Sequence, residues 1–272
     1  MNHIKFSDEL VWRIAKKLEI CTDRYATVDA ARSRIIELFS STDVFGEITR
    51  VEPRQQANST IIFCHGLGGV GSRWKGLFAD KLATQLPRTR FILPTAPNRK
   101  LSRDPSKEIR AWYDFTISGC TRTPNLDDLL VSAAYIRFLA SKELENQELQ
   151  TRRERMFVGG FSQGATLSLY MLLTDAFPFN GVLALSGYSP RFEDFEGKAS
   201  HERMRRIPLF IAHGDEDDVL PLSVHDETLR VLKENGFTSR GMCSKVYKRL
   251  RHSTSVEEIN DIAHFVKRIL NA

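Results

Sequence analysis

The chain of 272 residues has few cysteines and no long hydrophobic run. Its four cysteines are far apart and none forms a CxxC pair, so neither a zinc knuckle nor a disulfide framework is indicated. No stretch approaches the roughly 18 apolar residues that span a bilayer. The N-terminal MNHIKFSDELVW also lacks the apolar run of a signal peptide. Free thiols fit a reducing compartment best, so we expect a cytoplasmic location.

Acidic residues are scarce in two segments, although the net charge is only +5. Residues 88–110 hold seven basic and two acidic side chains, and residues 240–251 hold five basic and no acidic ones. Such clusters can attract anionic lipid headgroups, which makes peripheral contact with a membrane a hypothesis. A solvated basic face is the simpler explanation. Nucleic acid is not an expected partner. No carboxylate cluster has metal-ligand spacing with the histidines, so no metal or other cofactor is expected.

The pattern of hydrophobic residues predicts an α/β fold. Two helical patterns, with Ser7 and Thr27 as candidate N-caps, occupy residues 1–45. Beyond them, apolar runs rich in β-forming residues alternate with helical patterns, which predicts a mostly parallel sheet covered by helices on both faces. We expect residues 1–272 to form one domain. Because both N-terminal helices carry an apolar stripe, we expect this extension to pack on the core. The predicted strands are 60–64, 90–93, 156–160, 181–185, 208–213 and 245–250.

A G-x-S-x-G pentapeptide, GFSQG, lies between a predicted strand and a predicted helix and places Ser162 at their junction. This context is typical of the nucleophile elbow of hydrolases, where side chains two positions before and after the serine would collide with the neighbouring strand and helix. The N-terminus of the following helix also favours developing negative charge. The alternative is a turn in which the glycines serve only packing.

A serine nucleophile needs an acid and a histidine, each placed after a later strand. The run PLFIAH is followed by GDEDDVLP, which supplies Asp215, Asp217 and Asp218. The next predicted strand, KVYKRL, is followed by His252 and the last helix. The order serine, aspartate, histidine is that of an α/β-hydrolase.

The remaining histidines have other expected roles. His65 and His213 directly follow apolar runs and are expected to shape loops by hydrogen bonding. His225 and His264 fall within helical patterns and are expected to be surface or helix-packing residues. His3 and His201 lie in polar surroundings without a strand end before them, so His252 is the candidate base.

Hydrolysis of an acyl group also needs two donors for the oxyanion. The backbone N–H of Gln163, directly after the serine, is one candidate. The loop CHGLGGVGSRW, residues 64–74, follows a predicted strand, and its glycines let the backbone approach a ligand closely. We expect the N–H of Leu67 to be the second donor. The main alternative is a dinucleotide-binding loop, because that fingerprint also needs three glycines at the positions of Gly66, Gly68 and Gly71.

Six segments together resemble the acyl-protein thioesterase/phospholipase-carboxylesterase family of α/β-hydrolases, over about residues 58–270. They are CHGLGGVGSRW, LPTAPNRK with IRAWYDF, GGFSQGATLSLY, LSGYSP, IAHGDEDDVLPLS, and the final histidine before an amphipathic helix. The resemblance implies hydrolysis of thioesters or esters, with S-acylated proteins or lysophospholipids as substrates and no cofactor. A general carboxylesterase or lysophospholipase is the alternative, and an inactive acyl-binding or partner-binding scaffold is a third.

The resemblance also implies roles for individual residues. It implies Ser162 as nucleophile and His252 as base. It selects Asp217 among the three aspartates, because the family pattern reads H-G-x-x-D. Leu67 and Gln163 match its oxyanion donors. The expected substrate-pocket residues are Trp112, which matches the pocket-wall tryptophan of the family, with Val70 and Leu101.

The chain departs from the family at two positions. Gly68 and Gly69 stand where the family usually has Gly-Asp, and Asp218 stands where a proline commonly follows the acid. The segment SRDPSKEIR is also more basic than usual, which leaves the acyl-chain preference open.

Overall fold

The computed structural model describes residues 6–20, 27–119, 121–146, 153–174, 179–190, 206–238 and 241–271. Within these ranges, the centre is a seven-stranded sheet with the order β1-β3-β2-β8-β9-β10-β11. β1 is antiparallel to β3, and the other pairs of this sheet are parallel. The strands are β1 (Gly46–Val51), β2 (Ser59–Cys64), β3 (Thr89–Thr95), β8 (Met156–Phe161), β9 (Gly181–Leu185), β10 (Leu209–Gly214) and β11 (Met242–Tyr247).

Helices cover both faces of the sheet, as the uninterrupted apolar strands predict. All six residues of β2 are buried, and its last four alternate between two hydrophobic clusters. Ile62 and Cys64 belong to the larger cluster, whereas Ile61 and Phe63 belong to the smaller one on the other face. The helices are α1 (Asp8–Lys17), α2 (Val28–Ser40), α3 (Lys75–Leu77), α4 (Ala83–Gln85), α5 (Leu126–Glu145), α6 (Gln163–Leu173), α7 (Leu222–Glu234) and α8 (Val256–Leu270).

The two expected N-caps of the extension are present. The amide of Leu10 donates to Ser7 Oγ at 3.2 Å, and the amide of Ala30 donates to Thr27 Oγ1 at 3.1 Å. Each hydroxyl therefore satisfies one backbone N–H at a helix start that has no acceptor within its own helix.

Both helices of the extension pack on the core of the fold. Phe39, near the end of α2, lies edge-on to Tyr135 of α5 with ring centroids 5.5 Å apart. Phe45 stacks on the same tyrosine at 3.7 Å. These rings belong to the same hydrophobic cluster as Val11 and Ile14 of α1. The cluster therefore extends without interruption from the sheet into the extension.

Three features were not predicted. β1 pairs at the edge of the sheet, beside β3. Between α3 and α4 the helix widens into a π-helical turn over Phe78–Leu82. Two antiparallel hairpins also follow β3; they are β4 (Asn98–Leu101) with β5 (Asp104–Arg110), and β6 (Phe115–Ser118) with β7 (Thr121–Pro124).

Two of the four cysteines lie within the described residues. Cys64 and Cys243 are free thiols, whereas Cys21 and Cys120 lie outside the described residues. His3 and His201 also lie outside them. Of the helices described, none combines the length and apolar character needed to cross a bilayer.

Candidate active site

Ser162 occupies a strained turn between β8 and α6. Its backbone has φ 55° and ψ −115°, a conformation that L-residues with a side chain rarely adopt. A Cβ atom at Gly160 would lie 2.3 Å from the carbonyl carbon of Gly164, and one at Gly164 would lie 2.1 Å from the carbonyl oxygen of Cys64. The two glycines therefore let strand, turn and helix approach closely enough to present the serine at the end of the sheet.

Asp217 and His252 are 35 positions apart in the chain and form a hydrogen-bonded pair. The Nδ1 atom of His252 lies 2.7 Å from Oδ2 of Asp217, whose side chain is fully buried. The other carboxylate oxygen accepts the amides of Val219 at 2.9 Å and Leu220 at 2.7 Å. Burial alone would raise the pKa of Asp217, but the hydrogen bonds from His252 and the two amides outweigh it and lower that pKa.

The two neighbouring aspartates have different partners. Asp215 accepts the amide of Arg249 at 2.6 Å and pairs with Lys248 at 3.3 Å. Asp218 is exposed and pairs with Arg251. Of the three aspartates that the sequence offers as candidates, Asp217 is therefore the one that lies beside His252.

The imidazole of His213 secures the loop that carries Asp217. Its Nε2 atom lies 2.7 Å from the carbonyl oxygen of Leu220 and 3.4 Å from Oδ2 of Asp217. Because a carbonyl can only accept, Nε2 carries the proton and donates it. Burial lowers the pKa of His213, which keeps the ring neutral near neutral pH. The ring of the buried His225 lies 5.4 Å away.

His65 stabilises the loop that follows β2 in a comparable way. Its Nε2 accepts the amide of Ala96 at 3.0 Å, so the proton lies on Nδ1, which donates to the carbonyl oxygen of Gly66 at 2.6 Å. Burial lowers the pKa of His65 to about 4, so the ring is neutral at pH 7. Both loop-shaping histidines expected from the sequence are thus neutral anchors of their loops.

The expected oxyanion residues, Leu67 and Gln163, line the same cavity as Ser162. As the first residue of α6, Gln163 has no acceptor for its N–H within that helix. Its side chain is buried and fixed, because Oε1 accepts the amide of Trp112 at 3.0 Å and Nε2 donates to the carbonyl of Tyr113 at 2.9 Å. This side-chain clamp was not predicted from the sequence.

The cavity has a volume of about 280 Å³ and contains Ser162 and His252 on its wall. The ring of Phe161, the residue before the serine, lies 4.7 Å from that of His252. Among the described residues, the serine hydroxyl has no hydrogen bond to the imidazole; in hydrolases without substrate this contact is often long. The full lining consists of Gly66, Leu67, Tyr113, Phe115, Arg122, Phe161, Ser162, Gln163, Tyr188, Val219, Leu220 and His252.

The three pocket residues expected from the sequence lie elsewhere. Trp112 is fully buried behind the wall, and its Nε1 donates to the carbonyl of His65 at 2.8 Å. Val70 precedes the short helical turn Gly71–Trp74. Leu101 is buried at the end of β4. None of the three is part of the described lining of this cavity.

Among the wall residues missed in the sequence analysis are Tyr113, Phe115, Arg122 and Tyr188. The hydroxyl of Tyr113 donates to that of Tyr188 at 3.1 Å. Burial raises the pKa of Tyr188 to about 12. Phe115 follows two positions after Tyr113. Arg122 lies over the Phe115 ring at 5.7 Å, and its Nη2 donates to the carbonyl of Val219 at 2.7 Å. The neighbouring motifs WYDF and LSGYSP contain three of these residues, but Arg122 has no comparable signal.

The described residues contain no group of three histidine, cysteine, aspartate or glutamate side chains arranged to hold a metal ion.

Comparison with known proteins places this geometry in context. A family model described as phospholipase/carboxylesterase matches residues 47–270. An acyl-protein thioesterase 1 of Neurospora crassa is 32% identical over 76% of this chain and 85% of its own length. The acyl-protein thioesterase 1 of Saccharomyces cerevisiae is 30% identical over 80% of this chain and 96% of its own. The crystal structure of acyl-protein thioesterase 2 of Zea mays superposes with a TM-score of 0.71 and 28% identity, covering 83% of this chain and 99% of that one.

Proposed function

The chain belongs to the phospholipase/carboxylesterase family and is an α/β-hydrolase, and we propose that it removes fatty acyl groups from protein cysteines by hydrolysing the thioester. The observation that carries this proposal is that Ser162 and His252 line one cavity with two oxyanion candidates, while Asp217 pairs with His252 behind it. The similarity to acyl-protein thioesterases supports the substrate class.

The reaction uses the three side chains in sequence. His252 takes the proton of Ser162, whose oxygen attacks the carbonyl carbon of the thioester. Negative charge on the carbonyl oxygen is stabilised by the N–H groups of Leu67 and Gln163. When the tetrahedral intermediate collapses, the C–S bond breaks and His252 returns the proton to the leaving thiolate.

Water completes the cycle. His252 removes a proton from a water molecule, which attacks the acyl-serine and releases the fatty acid and the free hydroxyl. Asp217 keeps the Nδ1 proton of His252 directed towards itself and stabilises the imidazolium that forms in both halves of the reaction. Its lowered pKa keeps the carboxylate ionised for that purpose.

Fluorophosphonate labelling and a substrate series test this function. The wild-type chain is expected to label and to hydrolyse a palmitoyl thioester, whereas Ser162→Ala does neither. Ser253→Ala changes an exposed serine next to His252 and serves as the matched control, because it leaves the nucleophile intact. A wild-type chain that resists labelling would favour an acyl-binding scaffold. Greater activity on short oxyesters than on palmitoyl thioesters would favour a general carboxylesterase.

A lysophospholipase activity is the second candidate, and Arg122 supports it. Arg122 lines the cavity, so its guanidinium is a candidate partner for the phosphate of a headgroup. Within the described ranges, no carboxylate forms an ion pair with this arginine. We expect a lysophospholipid to be hydrolysed faster than the monoacylglycerol with the same acyl chain, and Arg122→Gln to remove the difference.

Arg103→Gln is the matched control for this experiment. Its guanidinium lies 5.3 Å from the centroid of the same Phe115 ring, but it does not line the described cavity. A preference that survives in Arg122→Gln, or disappears equally in Arg103→Gln, would argue against recognition of the phosphate by Arg122.

Peripheral membrane contact and a cytosolic location are part of the proposal. The hairpin formed by β4 and β5 exposes Lys100, Arg103 and Lys107, whereas Lys245 pairs with Asp261 at 3.4 Å. Replacing the three hairpin cations by glutamine should weaken binding to anionic vesicles at low ionic strength. Vesicle binding that does not change with ionic strength would contradict the proposed membrane contact. The free thiols support a reducing compartment.

A further inference from the structure

The wall segment Ala111–Phe115 is fixed between two polar anchors. On the side of the nucleophile, the side-chain amide of Gln163 binds the backbone of Trp112 and Tyr113. Gln163 also provides the backbone N–H that the proposed mechanism uses for the oxyanion. Any shift of this segment is therefore transmitted to an amide beside the reacting carbonyl, and through Tyr113 and Phe115 to the cavity wall.

The second anchor is Asp128, close to the start of α5. Its Oδ2 accepts the amide of Asp114 at 2.8 Å, and its Oδ1 pairs with Arg99 Nη1 at 2.6 Å. Arg99 in turn donates from Nε to the carbonyl of Ala111 at 2.9 Å and from Nη2 to that of Trp112 at 3.3 Å. One carboxylate thus holds the wall segment directly through an amide and indirectly through a guanidinium.

The extension supplies a second cation to this carboxylate. Lys17, the last residue of α1, places Nζ 2.8 Å from Oδ1 of Asp128, whose side chain is only 2% exposed. Burial by itself raises the pKa of Asp128, but Arg99 and Lys17 together lower it. Removing one partner of a buried ion pair leaves the other less compensated, so the geometry of such a group depends on all its partners.

We propose that Lys17 is a positioning residue, through which the N-terminal extension holds Asp128 and the wall segment in the arrangement that fixes Gln163. This inference rests on the proposed hydrolase function, because Gln163 matters through its oxyanion contact. Lys17 lies outside residues 47–270, the part of the chain that matches the family, whereas Asp128 lies within it.

The neighbouring ion pair of the same helix provides a matched control. Arg13 of α1 pairs with Asp127 at 3.0 Å, one residue before Asp128 on α5. Asp127 is 57% exposed, and exposed pairs of this kind contribute little. Arg13→Met and Lys17→Met therefore remove the same charge from the same helix, but only the second change touches the buried carboxylate.

Steady-state kinetics of the full chain measure the effect on catalysis. With concentrations corrected by fluorophosphonate titration of Ser162, we expect Lys17→Met to lower kcat about tenfold while KM changes less than about twofold, because the oxyanion contact forms only in the transition state. Arg13→Met should keep the wild-type kcat, and Lys17→Arg should recover most of it. An unchanged kcat in Lys17→Met, or an equal loss in Arg13→Met, would overturn the inference.

Hydrogen exchange tests the same contact without any substrate. The amide of Asp114, which donates to Asp128, should exchange about tenfold faster in Lys17→Met than in the wild type, and at the wild-type rate in Arg13→Met. Equal exchange in all three proteins would contradict the positioning role even if the enzyme proved inactive. A wild-type chain that does not label with fluorophosphonate would instead contradict the proposed function. If Lys17→Met does not fold, Lys17→Gln, which keeps a polar donor, carries the same two measurements.

Discussion

Two strands of the central sheet lead into the same dipeptide, His-Gly, and the loops that follow have different tasks. His65-Gly66 comes directly after β2, and His213-Gly214 forms the end of β10. Each ring is buried, has a lowered pKa, and donates to a carbonyl of its own loop. The first loop presents a backbone amide, that of Leu67, and the second presents a charged side chain.

The second nitrogen of each ring shows how the two loops differ. In His65 it accepts the amide of Ala96, so both ring nitrogens are used and the loop is tied to the end of β3. In His213 the Nδ1 atom is buried and has no hydrogen-bond partner among the described residues, and Nε2 lies close to Asp217. A protonated His213 would compete with His252 for this carboxylate. Burial therefore serves rigidity in the first loop and, in the second, keeps the negative charge of Asp217 available to His252.

The largest expected effect comes from the charge of the second loop. Asp217→Asn keeps an oxygen for the amides of Val219 and Leu220, but turns the group facing His252 into a donor. The imidazole then favours a proton on Nε2 and cannot accept the one from Ser162, so kcat should fall about 10⁴-fold. Ester hydrolysis with active-site titration measures this. A fall in kcat of less than about tenfold would indicate that the charge of the second loop is no more important than the amide of the first.

The amide of the first loop should contribute less. Leu67→Pro removes the N–H proposed for the oxyanion, and kcat should fall about 10²- to 10³-fold. Leu67→Ala retains the N–H and should stay near the wild type, which separates the amide from the side chain. If alanine and proline reduce kcat equally, the side chain and not the amide is responsible.

The smallest expected effect concerns stability and pH. The pKa of His65 is about 4 in the folded chain and about 6.5 when unfolded, so its stabilising contribution is complete above pH 6.5 and is lost as the pH falls towards 4. At pH 5 the loss amounts to about 2 kcal/mol. Between pH 7 and pH 5, the free energy of unfolding measured with urea should fall by about 2 kcal/mol more in the wild type than in His65→Gln. Comparing the two proteins cancels the contribution of other titrating groups to the pH dependence. One such group is Glu258, whose pKa burial raises to about 8. Equal losses in both proteins would contradict the neutral state of His65.

The fold class was predictable because the strands of the parallel sheet are buried on both faces. Strands such as β2 and β9 are therefore short apolar runs separated by helical patterns, and family membership and the structural neighbours confirm the α/β-hydrolase fold. The pairing of His252 with an aspartate after β10 followed from the same logic, since the carboxyl ends of parallel strands meet at one edge. The choice of Asp217 among the three aspartates came from the resemblance to the family. The catalytic roles of Asp217 and His252, like that of Ser162, stay predictions.

The cavity wall was not predictable in the same way. Two of its residues, Phe115 and Arg122, come from the hairpin of β6 and β7, whose short strands are partly exposed and lack a clear alternation. Arg122 reaches the cavity because this hairpin folds over the loop of Val219, a contact between residues 97 positions apart. β1, with the sequence GEITRV, is half polar because it forms an edge of the sheet. The π-helical turn at Phe78–Leu82 changes only the register of backbone hydrogen bonds, for which the sequence gives no local signal.

The continuity of the hydrophobic cluster into α1 and α2 has a consequence for where this protein can be divided. Similarity to the family begins at residue 47, yet Phe39 and Phe45 lie before that point and are almost completely buried. A polypeptide trimmed to residues 47–270 would lack the rings of Phe39 and Phe45 that cover Tyr135 and Phe138, and Asp128 would lose the counterion Lys17. The segment that matches the family and the segment that completes this hydrophobic cluster therefore have different N-terminal limits.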